Sequence, residues 1–155
     1  MLAVWRLVRE HHANEPLFGE GARRYGGRWN DVGVSVIYTS EHRSLAALEV
    51  LVHLNGTNPN SPYQLLSYEV DEAMIHYLPE AELPPDWRQE PPPFSTVQWG
   101  TQWARENRSV ALAVPSTVVP EEQNIVLNTN HRDIRKIKTG KSTPFVFDPR
   151  LFTSR

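Results

Sequence analysis

Apolar positions along this chain fall into short alternating runs rather than long helical stripes. From Ala3 to Val8 they alternate as in a half-buried strand, with Ala3, Trp5 and Leu7 on one face and Val4, Arg6 and Val8 on the other. Val34 to Thr39 repeats the pattern, grouping Val34, Val36 and Tyr38 against Ser35, Ile37 and Thr39. Gln64 to Val70 reads as a further strand. Val110 to Val114 is wholly apolar and stopped by Pro115, which suits a strand buried on both faces. Asn124 to Asn128 and Phe145 to Phe147 complete the strands.

Two segments change period. Leu45 to Leu54 is apolar almost all round, as in a buried helix, with Ser40 as N-cap and Asn55-Gly56 as the stop. Ser95-Thr96-Val97-Gln98 has a capping-box pattern and opens a helix that runs to about Asn107. His11 to Arg24, with Asn, Pro and two glycines, reads as an irregular connection, and Asp71 to Tyr77 fits either period. Leu83 to Pro93 is too rich in proline for regular structure and is expected as a long surface loop or a flap. His131 to Lys141 is polar and basic and is expected as a solvated connection. Strands outnumber helices, so the class is α+β, with one domain spanning 1–155.

Composition narrows the chemistry. With no cysteine in 155 residues, disulfides, thiol catalysis and thiolate metal sites are excluded. The formal net charge of −2 argues against general attraction to nucleic acid or an anionic membrane. The apolar N-terminal run is broken by Arg6 and Arg9 and is too short to span a bilayer, so a cytoplasmic protein is expected. The histidines show no ligand spacing such as HExxH, and no metal is expected. GxGxxG, GxxxxGK[ST] and GxSxG are all absent.

What remains is concentrated around Tyr25-Gly26-Gly27-Arg28-Trp29-Asn30 and the residues after it as far as Glu49. The glycines permit close approach of a ligand to the main chain, and Arg28 offers a planar fork for phosphate. Arg6 shares a strand face with two valines and needs an anionic or carbonyl partner, from the protein or from a ligand. Glu49 sits on the apolar helix beside Leu45, Val52 and His53 and needs hydrogen bonds there. Ser116 follows the buried strand. Each residue has an ordinary structural role open to it: an ion pair for Arg6 or Glu49, a core phenol for Tyr38, a turn for Ser116. Together they form a kit for breaking the nicotinamide–ribose bond of a dinucleotide. A carboxylate stabilises the oxocarbenium-like transition state, arginines hold the pyrophosphate, an aromatic ring stacks on nicotinamide, and a hydroxyl orients the ribose end.

The sequence resembles the RES-domain toxins of bacterial RES–Xre toxin–antitoxin pairs. The resemblance is carried by Trp5-Arg6, Gly21-Ala22, Gly26-Gly27-Arg28-Trp29-Asn30 with Gly33, Tyr38, Ala46-Ala47-Leu48-Glu49, Val114-Pro115-Ser116, Asn124 and Asn128. It implies a compact ADP-ribosyltransferase-like domain, with a central, mostly antiparallel twisted sheet and flanking helices. It further implies that the protein consumes NAD+ as substrate, by hydrolysis or phosphorolysis, and so arrests growth, or else transfers ADP-ribose to a protein. The resemblance implies Arg28, Tyr38, Glu49 and Ser116 as catalytic, and Arg6, Gly27, Arg28, Trp29, Asn30, Tyr38, Ser116 and Asn124 as the NAD+ contacts. Either Arg6 or Arg28 matches the family's arginine. The implied partner is an Xre-type antitoxin that blocks the NAD+ cleft in a hetero-oligomer and supplies the DNA binding. A non-catalytic antitoxin-binding module and an RNA-cleaving toxin are the rivals of other classes.

Overall fold

The computed structural model describes residues 1–152. Eight strands form one sheet around which the helices are arranged. In chain order they are β1 (Leu2–Arg9), β2 (Val36–Ser40), β3 (Tyr63–Val70), β4 (Ile75–Tyr77), β5 (Ala111–Pro115), β6 (Gln123–Asn128), β7 (Lys138–Thr139) and β8 (Thr143–Phe145). Across the sheet the order is β4-β5-β6-β2-β1-β3-β7, with β8 also on β3. Every pairing is antiparallel except β4 with β5. This is the mixed, mainly antiparallel architecture expected from the strand-rich pattern.

Both faces of the central strands are buried. Val4, Ile37, Leu66, Tyr68, Ile125 and Leu127 pack into one cluster, while Trp29, Val36, Trp103, Leu112, Val114 and Val126 pack into another. Val110 to Val114 is buried throughout, as its uninterrupted apolar run requires. Helix α3 (Phe94–Arg105) covers the second cluster with Trp103, and α2 (Arg43–Leu51) lays Ala47, Val50 and Leu51 against Trp5, Leu7, Tyr63 and Leu65. Among the described residues no helix is long and apolar enough to cross a membrane.

Several elements differ from expectation, each for a local reason. His11 to Arg24 is not wholly irregular: α1 (Glu20–Tyr25) forms where the sequence offers two glycines. Tertiary bonds hold it, from Gly33 N–H to the Arg23 carbonyl at 2.7 Å and from Asn30 Nδ2 to the Ala22 carbonyl at 2.8 Å. Ser40 does not cap α2. It ends β2, and His42 stands at the helix N-cap without a side-chain cap bond. Helix α2 stops at Leu51 and tightens into a 3-10 turn over Val52–Leu54, leaving Leu48 and Val52 exposed rather than buried. The Ser95 capping box is also not used: α3 starts earlier, at Phe94 after Pro93, and Ser95 Oγ donates instead to Asp86. The last strand is Thr143–Phe145, with Phe147 beyond it packed between Tyr63 and Phe152. The ambiguous Asp71–Tyr77 stretch resolves into a 3-10 turn and β4.

Helix α3 approaches the site loop through Gly100. A Cβ there would lie 1.9 Å from the Trp29 carbonyl oxygen, which is backbone and has nowhere to retreat. Gly100→Ala gains somewhat less than about 1 kcal/mol of helix propensity. The overlap costs more, about 1–3 kcal/mol or above. The expected outcome is a net loss of stability, read as a lower urea midpoint at unchanged slope.

Candidate active site

Strands β1 and β2 share one register pair, Trp5 opposite Ser40, whereas β1 pairs with β3 along its whole length and β2 with β6 along its whole length. The sheet is therefore open at this seam. A cleft of about 1040 Å³ is lined from both strands, by Trp5 to Val8 and by Val36 and Tyr38 to Ser40. Gly27, Arg28, Glu49, Arg88, Glu90, Thr117 and Asn124 contribute to its remaining walls. That volume lies at the upper end of small-molecule sites and is large enough for a dinucleotide.

Glu49 is the carboxylate that α2 presents to the cleft. Its Oε1 accepts from Ser116 Oγ at 2.7 Å and from Asn124 Nδ2 at 2.7 Å. Asn124 is fixed in turn, because its Oδ1 accepts from Ser40 Oγ at 2.8 Å. Ser116 is 0% exposed, and its Oγ already accepts the Val118 and Val119 N–H groups at 3.0 and 3.1 Å. Its hydroxyl hydrogen is thus directed at Glu49. Oε2 of Glu49 has no hydrogen-bond partner among the described residues and is not a buried orphan, so it is the oxygen left for the cleft. Ser116 stands behind Glu49 rather than lining the cleft itself.

Tyr38 joins the other wall to the sheet. Its hydroxyl donates to Asn30 Oδ1 at 2.6 Å and accepts from the Trp29 N–H at 2.9 Å, while its ring lines the cleft. Burial pushes the phenol well above its ordinary range, and the Trp29 N–H and the nearby Arg28 charge oppose this only in part. At neutral pH the group is a neutral donor. Gly27 is required by this hydroxyl, since a Cβ at that position would lie 2.6 Å from it. Asn30 is buried and spends its Nδ2 on the Ala22 and Val34 carbonyls at 2.8 and 3.1 Å. The Trp29 ring is 2% exposed and packs edge-on against Trp99 at 6.3 Å between centroids. Asn30 therefore shapes the loop from behind, while Trp29 is one of the residues that line the cleft.

The two arginines stand differently. Arg28 donates from Nη1 to the Trp87 and Gln89 carbonyls at 3.0 and 2.5 Å and pairs through Nη2 with Glu90 at 2.5 Å. Its side chain is 12% exposed. It ties the proline-rich segment down, so that this segment is a wall of the cleft and not a free surface excursion. Arg6 lies on the same face as Val4 and Val8, beside the Tyr68 hydroxyl, which donates to the Pro16 carbonyl at 2.6 Å. Among the described residues no carboxylate lies within 4.0 Å of Arg6. At the rim, the Arg43 guanidinium lies 3.7 Å over the Trp5 ring.

One cluster of the described residues has metal-ligand proximity. Glu41, His42 and Glu122 place ligand atoms within 4.8 Å of one another at the turn after β2, with Glu41 Oε1 already accepting the Gln123 N–H at 2.8 Å. Neither the place of Ser40 in the Glu49 network nor the contacts of Trp87 to Glu90 is signalled by the sequence pattern. Ser40 was hidden by its good capping chemistry, and a proline-rich segment carries no periodicity that would aim its side chains. Tyr38→Phe would leave the buried Asn30 Oδ1 and the Trp29 N–H without partners. The expected cost is about 2 kcal/mol, measured by urea unfolding.

The RES domain family matches residues 3–148. A protein named toxin Res from Yersinia enterocolitica is 36% identical over 151 residues, covering 97% of this chain and 99% of that protein. A Sphingobium protein named Prs ADP-ribosylating toxin is 39% identical over 155 residues, covering 96% of each. The crystal structure of the Mycobacterium tuberculosis MbcT–MbcA toxin–antitoxin complex contains a chain of the same fold, with a TM-score of 0.75 at 19% identity over 93% of this chain and 84% of that one. By sequence over nearly its full length, and by fold, this chain belongs to the RES-domain toxin family.

Proposed function

We propose that the protein is a toxin of a toxin–antitoxin pair that cleaves the nicotinamide–ribose bond of NAD+, depleting the dinucleotide and arresting growth. The observation that carries this reading is Glu49 anchored through one oxygen by Ser116 and Asn124, in a dinucleotide-sized cleft that also holds the unpaired Arg6. As the C–N bond breaks, its electron pair leaves with nicotinamide and positive charge develops on the ribose. Glu49 Oε2 faces that charge, and the fixed donors on Oε1 mean that no reorganisation is needed when it appears. The acceptor, water or phosphate, completes the new bond at the anomeric carbon and loses a proton. Arg6 holds phosphate, and the Tyr38 ring supports the nicotinamide. Ser116 acts through Glu49 and is a positioning residue. Arg28 orders the wall that closes the site.

A second reading keeps this chemistry and changes the acceptor to a protein side chain. The 39% identity to a relative named as an ADP-ribosylating toxin favours it. An antitoxin that occupies the cleft follows from either reading, since the mouth is the route to Glu49. Binding to DNA would belong to that partner.

Cellular NAD+ is expected to fall within minutes of inducing the wild type and before growth stops, and to hold steady on inducing Glu49→Gln. The loss of transition-state stabilisation should lower turnover about 100-fold or more. Growth arrest at constant NAD+, with a protein band labelled by radioactive NAD+ in lysate, would replace depletion by protein modification. For Ser116→Ala, kcat for NAD+ is expected to fall about tenfold as one hydrogen bond to the charged carboxylate is lost. KM should stay within about a factor of two, a split that general destabilisation would not produce.

A further inference from the structure

The proline-rich segment brings into the cleft a cation that neither the motif nor the periodicity indicates. Arg88 is exposed at the mouth of the cleft, which it helps to line, and its Nε donates to the Thr117 carbonyl at 3.1 Å. Thr117 follows Ser116, so this bond fixes Arg88 next to the turn that anchors Glu49. Neither Nη atom of Arg88 has a hydrogen-bond partner among the described residues, and no carboxylate lies within 4.0 Å of it. A guanidinium held only through Nε is oriented, with its Nη groups open to solvent and free to exchange water for a ligand. Its free Nη edge is the planar donor pair that matches two oxygens of a phosphate group.

The neighbouring charges make the contrast sharper. Arg28 lines the same cleft, but its donors are committed to Trp87, Gln89 and Glu90. Of the segment's two carboxylates, Glu90 is paired with Arg28 and Asp86 accepts from Ser95 Oγ, and neither lies within 4.0 Å of Arg88. Arg6 lacks a carboxylate partner on the other wall, on β1, while Arg88 stands on the wall made by the segment and the turn after β5. The carboxylates in this cavity are Glu49, anchored through Oε1, and Glu90, paired with Arg28, so an anion entering between Arg6 and Arg88 adds a compensation that neither carboxylate gives them.

We propose that Arg88 is a substrate-binding residue that takes a phosphate group opposite Arg6, and that the proline-rich segment exists in part to deliver it. This rests on the dinucleotide reading of the cleft. The phosphate has two chemical sources, the pyrophosphate of the dinucleotide or inorganic phosphate acting as acceptor beside Glu49. In the second case an oxygen–carbon bond to ribose forms as the carbon–nitrogen bond to nicotinamide breaks, and nicotinamide leaves with the electron pair.

The test uses the full chain with Glu49→Gln to stop turnover, with and without Arg88→Gln, titrated calorimetrically with ADP-ribose, inorganic pyrophosphate and inorganic phosphate. Loss of a charge-assisted donor pair is expected to weaken ADP-ribose and pyrophosphate about tenfold or more, which assigns Arg88 to the dinucleotide. A loss confined to inorganic phosphate also supports the proposal and assigns Arg88 to the acceptor. If all three ligands bind both proteins alike, or none binds either, the proposal is overturned. Consumption of NAD+ by the wild type is scored separately. NAD+ loss with Arg88-independent binding sinks the Arg88 proposal alone, and Arg88-dependent binding without NAD+ loss sinks the NAD+ reading alone.

Discussion

One carboxylate oxygen, Glu49 Oε1, holds the site together. It joins α2 to the turn after β5 through Ser116 and to β6 through Asn124, and Asn124 extends the network to the end of β2 through Ser40. Each donor is fixed by contacts of its own, so the carboxylate is positioned by the sheet and not by its helix alone. A half-buried carboxylate on an otherwise apolar helix is costly unless such donors are present. With Ser40 bracing Asn124 behind the two donors, the network spans three elements, so the ends of β2, β5 and β6 converge where the helix docks, and the same convergence forms part of the cleft wall.

The fold was legible where burial imposed a period. The alternation from Ala3 to Val8 and from Val34 to Thr39, and the unbroken apolar run at Val110–Val114, each correspond to strands whose faces pack as the pattern requires. Boundaries and caps were less legible. Ser40 has good capping chemistry, but a hydrogen bond to Asn124 holds it in the sheet, and Ser95 is drawn to Asp86 by a loop the pattern could not position. Helix α1 escaped notice because Asn30 and Gly33, which lie outside it, hold it by donating to its Ala22 and Arg23 carbonyls.

For the site, the residue types were readable and their division of labour was not. Sequence could mark Arg6 and Arg28 as equivalent candidates, since both are guanidinium groups beside apolar positions. Only the packed chain separates them: both line the cleft, but Arg28 bonds three acceptors of the proline-rich segment, whereas no carboxylate among the described residues lies within 4.0 Å of Arg6. Likewise, of the six-residue run around Arg28, Tyr25 to Trp29 line the cavity, and Asn30 braces the loop from behind through Tyr38. Such distinctions depend on which way a side chain turns at a loop, where no repeat in the sequence records direction.

The single register pair between β1 and β2 leaves an internal sheet edge. Such an edge exposes main-chain donors and acceptors that would, on the outer rim of a sheet, invite another chain to add as a strand. Here it lies inside the molecule between two covered halves, while the outer rims end in the short strands β4 and β7. Protection by depth takes the place of the charges and prolines that usually guard an edge. The opening of the cleft is therefore a matter of main-chain register, which a single side-chain substitution leaves in place.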